Sequence, residues 1–393
     1  MNKPQEINAN DNKVVVRTKE DSILIMLDSD LLHTIIGMVF DSSNFIDSYE
    51  TIYKINKQFK EIVLKIGPIL TQINIYNNKI NTHKIVNKLE EFLKKTRNIT
   101  ILEFKNINIY SNSLYSLVAA LKNNTTLTTV RFNNCNSKET YLYKNISAIT
   151  SKLIKTLLIN KTLIELDLHS NSIDDNETEI IAKYLKRNDI KLTILNLSNN
   201  YIGFNGCELL ADALKINKTL TRLNLSNNNL YDYGVKLLAE ALKINLIILE
   251  LYLYNNLIEI DGVIQLAEAL KVNTTLTLID LTSNGFGNEG IKVLTEALIT
   301  NKILKTLVLC NITSNYLYHI DNEGAIALAN LLKINQTLTN LNLRWNNIKN
   351  EGAIALAEAL ETNTTMITLD LSDNSIDDMY QNITLKRLKP RNV

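Results

Sequence analysis

The sequence predicts an α/β solenoid, a stack of short parallel strands backed by helices. Three observations carry this. The first is a fixed period: Leu192, Leu220, Ile248, Leu276 and Leu304 follow one another at intervals of 28 residues, and self-similarity at such a period marks a repeat architecture. The second is the L-x-x-L-x-L phrase that opens each unit, whose last two apolar positions are two apart and share one strand face. The third is helical spacing later in the unit, as in Leu210, Leu214 and Asn217 at i, i+4 and i+7. One unit alone cannot bury its leucines; stacking does so. Strands stack ~4.8 Å apart and helices ~8–10 Å apart, so the helical layer is the wider one. The array is expected to curve, with the strands on the concave side.

The full unit reads L-x-x-L-x-L-x-x-N-x-L/I, then Gly, then L-A-x-A-L-x-x-N. It resembles the leucine-rich repeat of the ribonuclease-inhibitor and NOD-like-receptor type. That resemblance implies a leucine-rich-repeat horseshoe solenoid with a parallel concave β-sheet and convex α-helices. It also implies a ligand held along the concave face and its loops.

Taken in order, residues 1–19 are polar and aperiodic and read as a disordered tail. Residues 20–68 read as a small helical segment, with Leu27, Leu31, Leu32, Ile35, Ile36 and Val39 on one face. A second apolar series, Ile52, Ile55, Phe59, Ile62, Val63 and Ile66, ends at Gly67-Pro68. This segment is expected to cap the first repeat. It also resembles an F-box: Leu27, Asp30, Leu31, Leu32, Ile35 and Ile36 match its first helix, and Ile55, Lys57, Phe59, Ile62 and Val63 its last. Asp28 stands where the family has proline. The resemblance implies a Skp-family adaptor docked on Leu27, Leu31, Leu32, Ile35, Ile55, Phe59 and Val63.

Residues 69–393 read as the repeat domain. Eleven strand starts are legible: Leu70, Ile99, Leu127, Leu163, Leu192, Leu220, Ile248, Leu276, Leu304, Leu338 and Met366. Cys135 takes the asparagine slot of the third unit. Insertions near 134–147 and 310–323 carry Tyr141 with Tyr143 and Tyr316 with Tyr318. Asn171, Asn200, Asn228, Asn256, Asn284, Asn346 and Asn374 recur in one slot, where an amide can satisfy turn backbone. A glycine (Gly206, Gly234, Gly262, Gly290, Gly324, Gly352) is expected just before each helix.

Composition bounds the function. The chain has 393 residues, 42 basic against 41 acidic, net charge +1. Such balance predicts no general attraction to nucleic acid or anionic membrane. No apolar run approaches the ~20 residues of a membrane helix. Three scattered cysteines and no secretory signal point to a reducing, cytoplasmic setting.

Several motifs dissolve into the repeat. Gly285-Phe286-Gly287-Asn288-Glu289-Gly290 has dinucleotide-site form, yet Gly290 is the repeat glycine and Phe286 fills the Leu/Ile slot. The sequons at Asn160, Asn217, Asn273, Asn335 and Asn363 share the helix-end position, where asparagine terminates helices. His33, His83, His169 and His319 form no metal-ligand spacing. The expectation is a non-enzyme without cofactor, metal or small-molecule substrate.

What remains is the outward face of the strands. It is small and polar except at particular places. The candidate protein-binding residues are Glu165, Asp167, His169, Arg222, Glu250, Tyr252, Tyr254, Asp280, Tyr316, Tyr318, Arg344 and Trp345. Tyr, Trp and Arg are the types that dominate protein interfaces. The reading is a non-catalytic intracellular scaffold that binds a partner protein. The alternatives are a substrate adaptor of a cullin–RING ubiquitin ligase, and a ribonuclease-inhibitor-like inhibitor or immune-type sensor.

Overall fold

The computed structural model describes residues 13–18, 24–28, 70–76, 99–105, 117–119, 121–122, 124–135, 151–312 and 318–377. They fall into two compact units: residues 1–172 with 189–192, and residues 173–188 with 193–393.

In the first unit the strands are β1 (Lys13–Thr18), β2 (Leu24–Asp28), β3 (Leu70–Tyr76), β4 (Ile101–Lys105), β5 (Thr129–Asn133) and β6 (Glu165–Asp167). From β3 to β6 neighbours are parallel, while β1 lies antiparallel between β2 and β3. The strand β1 falls in the segment expected to be disordered, and β2 overlaps the one expected to be helical. Leu27 pairs with Val14 in this antiparallel ladder, so it lies on a strand and not on the first helix of an F-box. Local composition explains the difference: Val14, Val15 and Val16 are β-branched, and Ile23 and Ile25 flank Leu24. Leu31, Leu32, Ile35, Ile55, Phe59 and Val63 lie outside the described residues. The core of this unit stacks Phe104 on Phe132, centroids 4.8 Å apart and planes 7° from parallel. Cys135 does occupy the asparagine slot: its thiol points at the Phe104 carbonyl, 3.4 Å away.

The second unit alternates helix and strand. Its strands are β7 (Ile194–Asn196), β8 (Arg222–Asn224), β9 (Glu250–Tyr252), β10 (Leu278–Asp280), β11 (Thr306–Val308), β12 (Asn340–Asn342) and β13 (Thr368–Asp370). Each pairs in parallel with the next, without register shift. The helices are α1 (Asp175–Leu185), α2 (Phe204–Leu214), α3 (Tyr231–Leu242), α4 (Ile260–Val272), α5 (Gly287–Thr300), α6 (Asn322–Ile334) and α7 (Asn350–Thr362). This is the leucine-rich repeat α/β solenoid that the period implied. In each repeat the same positions are buried, as Leu220, Leu223, Leu225, Leu230, Val235 and Leu238 are in one of them.

Two asparagine ladders tie repeat to repeat. In the first, the Asn228 amide donates to the carbonyls of Leu197 and Leu225 at 3.0 Å, and its oxygen accepts from Ile202 N–H at 3.0 Å. Asn200, Asn284, Asn346 and Asn374 accept from the preceding repeat in the same way. One rung is incomplete. Leu230 is helical in backbone and Tyr231 is left-handed at φ 53°, which leaves the buried Asn256 side-chain oxygen without a partner. The second ladder uses the sequon slot. The buried Asn273 amide nitrogen donates to Leu242 O at 2.7 Å, and its oxygen accepts from Thr275 and Leu276 N–H at 3.0 and 2.7 Å. The atom a glycan would occupy is thus buried and engaged.

The repeat glycines stand inside the first helical turn, not before the helix as expected. A β-carbon on Gly262 would fall 2.5 Å from Asp232 Oδ1 and 2.8 Å from Ile258 Cγ2. One on Gly290 would strike the Phe286 ring at 2.5 Å. Close packing, against the preceding repeat at Gly262 and against the same repeat's own ring at Gly290, and not turn geometry, demands glycine here. The dinucleotide-like motif is therefore used up in packing.

Candidate protein-binding face

The outward positions of the second unit's strands form columns across the sheet. Alternation makes this so: Leu223, Leu251 and Ile279 point into the core, and the residues on either side of them point out. One column runs Ile194, Arg222, Glu250, Leu278, Thr306, Asn340, Thr368; the next runs Asn196, Asn224, Tyr252, Asp280, Val308, Asn342, Asp370.

Arg222, Glu250 and Tyr252 are joined. Arg222 grips Glu250 with two bonds, Nε to Oε2 at 2.5 Å and Nη2 to Oε1 at 2.8 Å. Tyr252 donates its hydroxyl to Glu250 Oε2 at 2.8 Å. The Arg222 guanidinium holds the Glu250 carboxyl below the usual carboxylate range. Burial, together with the adjacent carboxylate, pushes the Tyr252 phenol up to about 12. The pair presents a fixed aromatic surface, because both its polar ends are already satisfied. Tyr254, half-buried, continues the same strand outward, and Asp280 pairs in register with Tyr252. Burial raises the Asp280 carboxyl, although it accepts the Thr282 N–H at 2.9 Å.

A second feature lies past the ends of β11 to β13. Arg344 Nε bonds Asp373 Oδ2 at 2.6 Å, and its guanidinium lies 5.6 Å from the centroid of Trp345. Trp345 is 46 % exposed and left-handed at φ 60°. Neighbouring repeats place Asn199, Asn227, Asn255, Ser283 and Asp373 in that slot. Short polar residues tolerate this conformation and a bulky one does not. A strained, exposed tryptophan is the kind of outlier that accompanies a functional constraint. Tyr254 and Arg344 are three strands apart, ~14 Å at ordinary strand spacing, so one folded partner can reach both.

The other expected residues are placed separately. In the first unit Glu165 is held by Arg131 at 2.8 Å, and Arg131 also reaches Glu103 at 3.6 Å. Asp167 accepts the His169 N–H at 2.9 Å. The sequence reading missed Arg131 and Glu103, although Val130 and Phe132 flank Arg131 at core positions and give its outward register. Tyr318 lies beside Gly285, its ring edge 3.6 Å from where a β-carbon would stand. Tyr316, Tyr141 and Tyr143 lie outside the described residues. Cys310, on the outward side, has its thiol pushed up by burial and by Asp280, contrary to what an activated nucleophile needs. Among the described residues, no cluster of His, Cys, Asp or Glu could hold a metal, and no helix is long and apolar enough to cross a membrane.

Comparison with known proteins agrees with this architecture. A family model described as "Leucine Rich repeat" matches residues 188–211, 217–239, 272–294, 335–357 and 362–378. No curated protein matches the sequence. Among solved structures, 150 chains match. One of them, "Leiomodin-1 Actin-Binding Site 2 (ABS2)", is 23 % identical, covering 33 % of this chain and 71 % of its own, with a TM-score of 0.27. The chain carries leucine-rich repeats, and the fold they build is the leucine-rich repeat solenoid.

Proposed function

We propose that the protein is a non-catalytic interaction scaffold that binds a partner protein on the outward sheet face of its second unit. One observation carries the reading. A face whose other outward residues are mostly polar, with Ile194, Leu278 and Val308 among them, carries a locked Arg222–Glu250–Tyr252 cluster continuing to Tyr254, and the strained Arg344–Trp345 pair. Rigid aromatic and arginine anchors bind at low entropic cost, because their geometry is set before the partner arrives. The period of 28 residues with one full helix per unit supports the ribonuclease-inhibitor type of repeat. Three dispersed cysteines support an intracellular setting. The raised Cys310 thiol supports the absence of catalysis on this face.

The test is a cross-linking pull-down with the full chain, followed by titration of each candidate partner. Trp345 is the only tryptophan, so its fluorescence reports binding at the face directly. Tyr254→Ala and Trp345→Ala are expected each to weaken the partner by ~2 kcal/mol, about 30-fold. Unchanged affinity in both folded variants rejects this face as the binding surface.

A further inference from the structure

The helices of the second unit run parallel, so their N-termini gather along one edge of the unit and their C-termini along the other. The two edges differ in charge. Five segments that join helix to strand, 215–221, 243–249, 271–277, 299–305 and 333–339, each hold lysine and no acidic residue, while the last, 361–367, holds Glu361 and no lysine. Lys218, Lys243, Lys302 and Lys333 are exposed there; Lys215 and Lys271 bond Asp212 and Glu268 of their own helices. The opposite edge carries Asp232, Glu259, Asp261, Glu289, Asp321 and Glu323; Lys292 bridges Glu289 and Glu323 at 2.8 and 2.7 Å, and Lys349 caps the last helix, which leaves carboxylates in excess. Helix dipoles favour this arrangement of charge.

Dipoles do not explain the apolar side chains on the same edges. On the basic edge Ile216, Ile244, Leu246, Val272 and Ile334 are each more than half exposed. Four of them occupy one repeat slot, immediately before the buried asparagine, and therefore line up from repeat to repeat. On the acidic edge Tyr201, Phe204, Tyr231, Tyr233 and Leu257 are exposed, with Phe204 and Tyr233 edge to face at 5.8 Å. Exposed apolar groups gathered in a patch mark contact surfaces.

We infer that the basic aliphatic edge of one molecule docks on the acidic aromatic edge of a second copy. The edges are complementary in what each holds in excess: lysines on one against carboxylates on the other, aliphatic side chains against aromatic rings. The contact joins two different surfaces of the same chain, so it is heterologous and leaves one edge open at each end of the assembly.

Sedimentation of the full chain tests this. Self-association is expected and should weaken roughly ten-fold or more in high salt, which screens the complementary charges. The double variant Ile244→Glu with Leu246→Glu changes only exposed positions on the basic edge. Tyr201→Lys with Tyr233→Lys does the same on the acidic edge. Each variant, shown folded by circular dichroism, is expected to be monomeric alone. Mixed, the two should form a pair through their intact edges and grow no further. A chain that stays monomeric at all concentrations overturns the inference. So does association that neither variant weakens, a mixture that fails to pair, or a monomer that instead sediments with acidic phospholipid vesicles.

Discussion

Replacing Asn273 by alanine removes one rung of the second ladder and nothing else. The side chain is 4 % exposed and ends at the join between two repeats. Its loss strips the Leu242 carbonyl of a 2.7 Å donor and leaves the N–H groups of Thr275 and Leu276 without their acceptor. A buried polar group left unpaired costs ~1–3 kcal/mol. Three are exposed to that cost, but the site is at a repeat junction where water can reach after slight relaxation, so ~3 kcal/mol in total is expected. Thr274, the exposed neighbour, is the control, and Thr274→Ala should cost under ~0.5 kcal/mol. Urea unfolding followed by circular dichroism reads both. An Asn273→Ala cost no greater than that of the control refutes the ladder as a source of stability. Asn273→Asp separates the halves of the amide: it keeps the acceptor for both N–H groups but turns an oxygen toward Leu242 O, and should still destabilise.

Three further outcomes follow from packing and charge. Asp280→Asn should stabilise the protein at neutral pH. Burial raises the native Asp280 pKa, so the folded state holds its proton more tightly than the unfolded one. Stability from this group is therefore lost as pH rises from the unfolded carboxylate value through the raised one. The gain from Asn should disappear as pH falls below that window, and thermal melts across pH measure it. Gly262→Ala should cost ~1–3 kcal/mol by overpacking against Asp232 and Ile258, seen as a lower urea midpoint. Phe104→Ala should cost ~3–5 kcal/mol in the first unit, since the ring is fully buried on Phe132; chymotrypsin sensitivity around β4 and β5 reads that loss.

The sequence by itself determined the repeat, its register and most of its core. Period and alternation are local properties of the text, and stacking identical units leaves little freedom, so all eleven strand starts correspond to strands. The asparagine slots were legible for the same reason. The tertiary structure decided what depends on contact between units. It placed the repeat glycines inside the helices, because what excludes a β-carbon is a packed side chain, from the preceding repeat at Gly262 and from Phe286 of the same repeat at Gly290, not a turn. It paired Val14 with Leu27 as strands, because strand pairing there outweighs a helical spacing read from one segment alone. It also joined Arg222 to Glu250 and Arg344 to Asp373, residues 28 and 29 apart in sequence. The strain at Trp345 appeared only with the backbone. A one-dimensional pattern records which residue fills a slot, but only the folded chain shows the left-handed φ that the slot imposes.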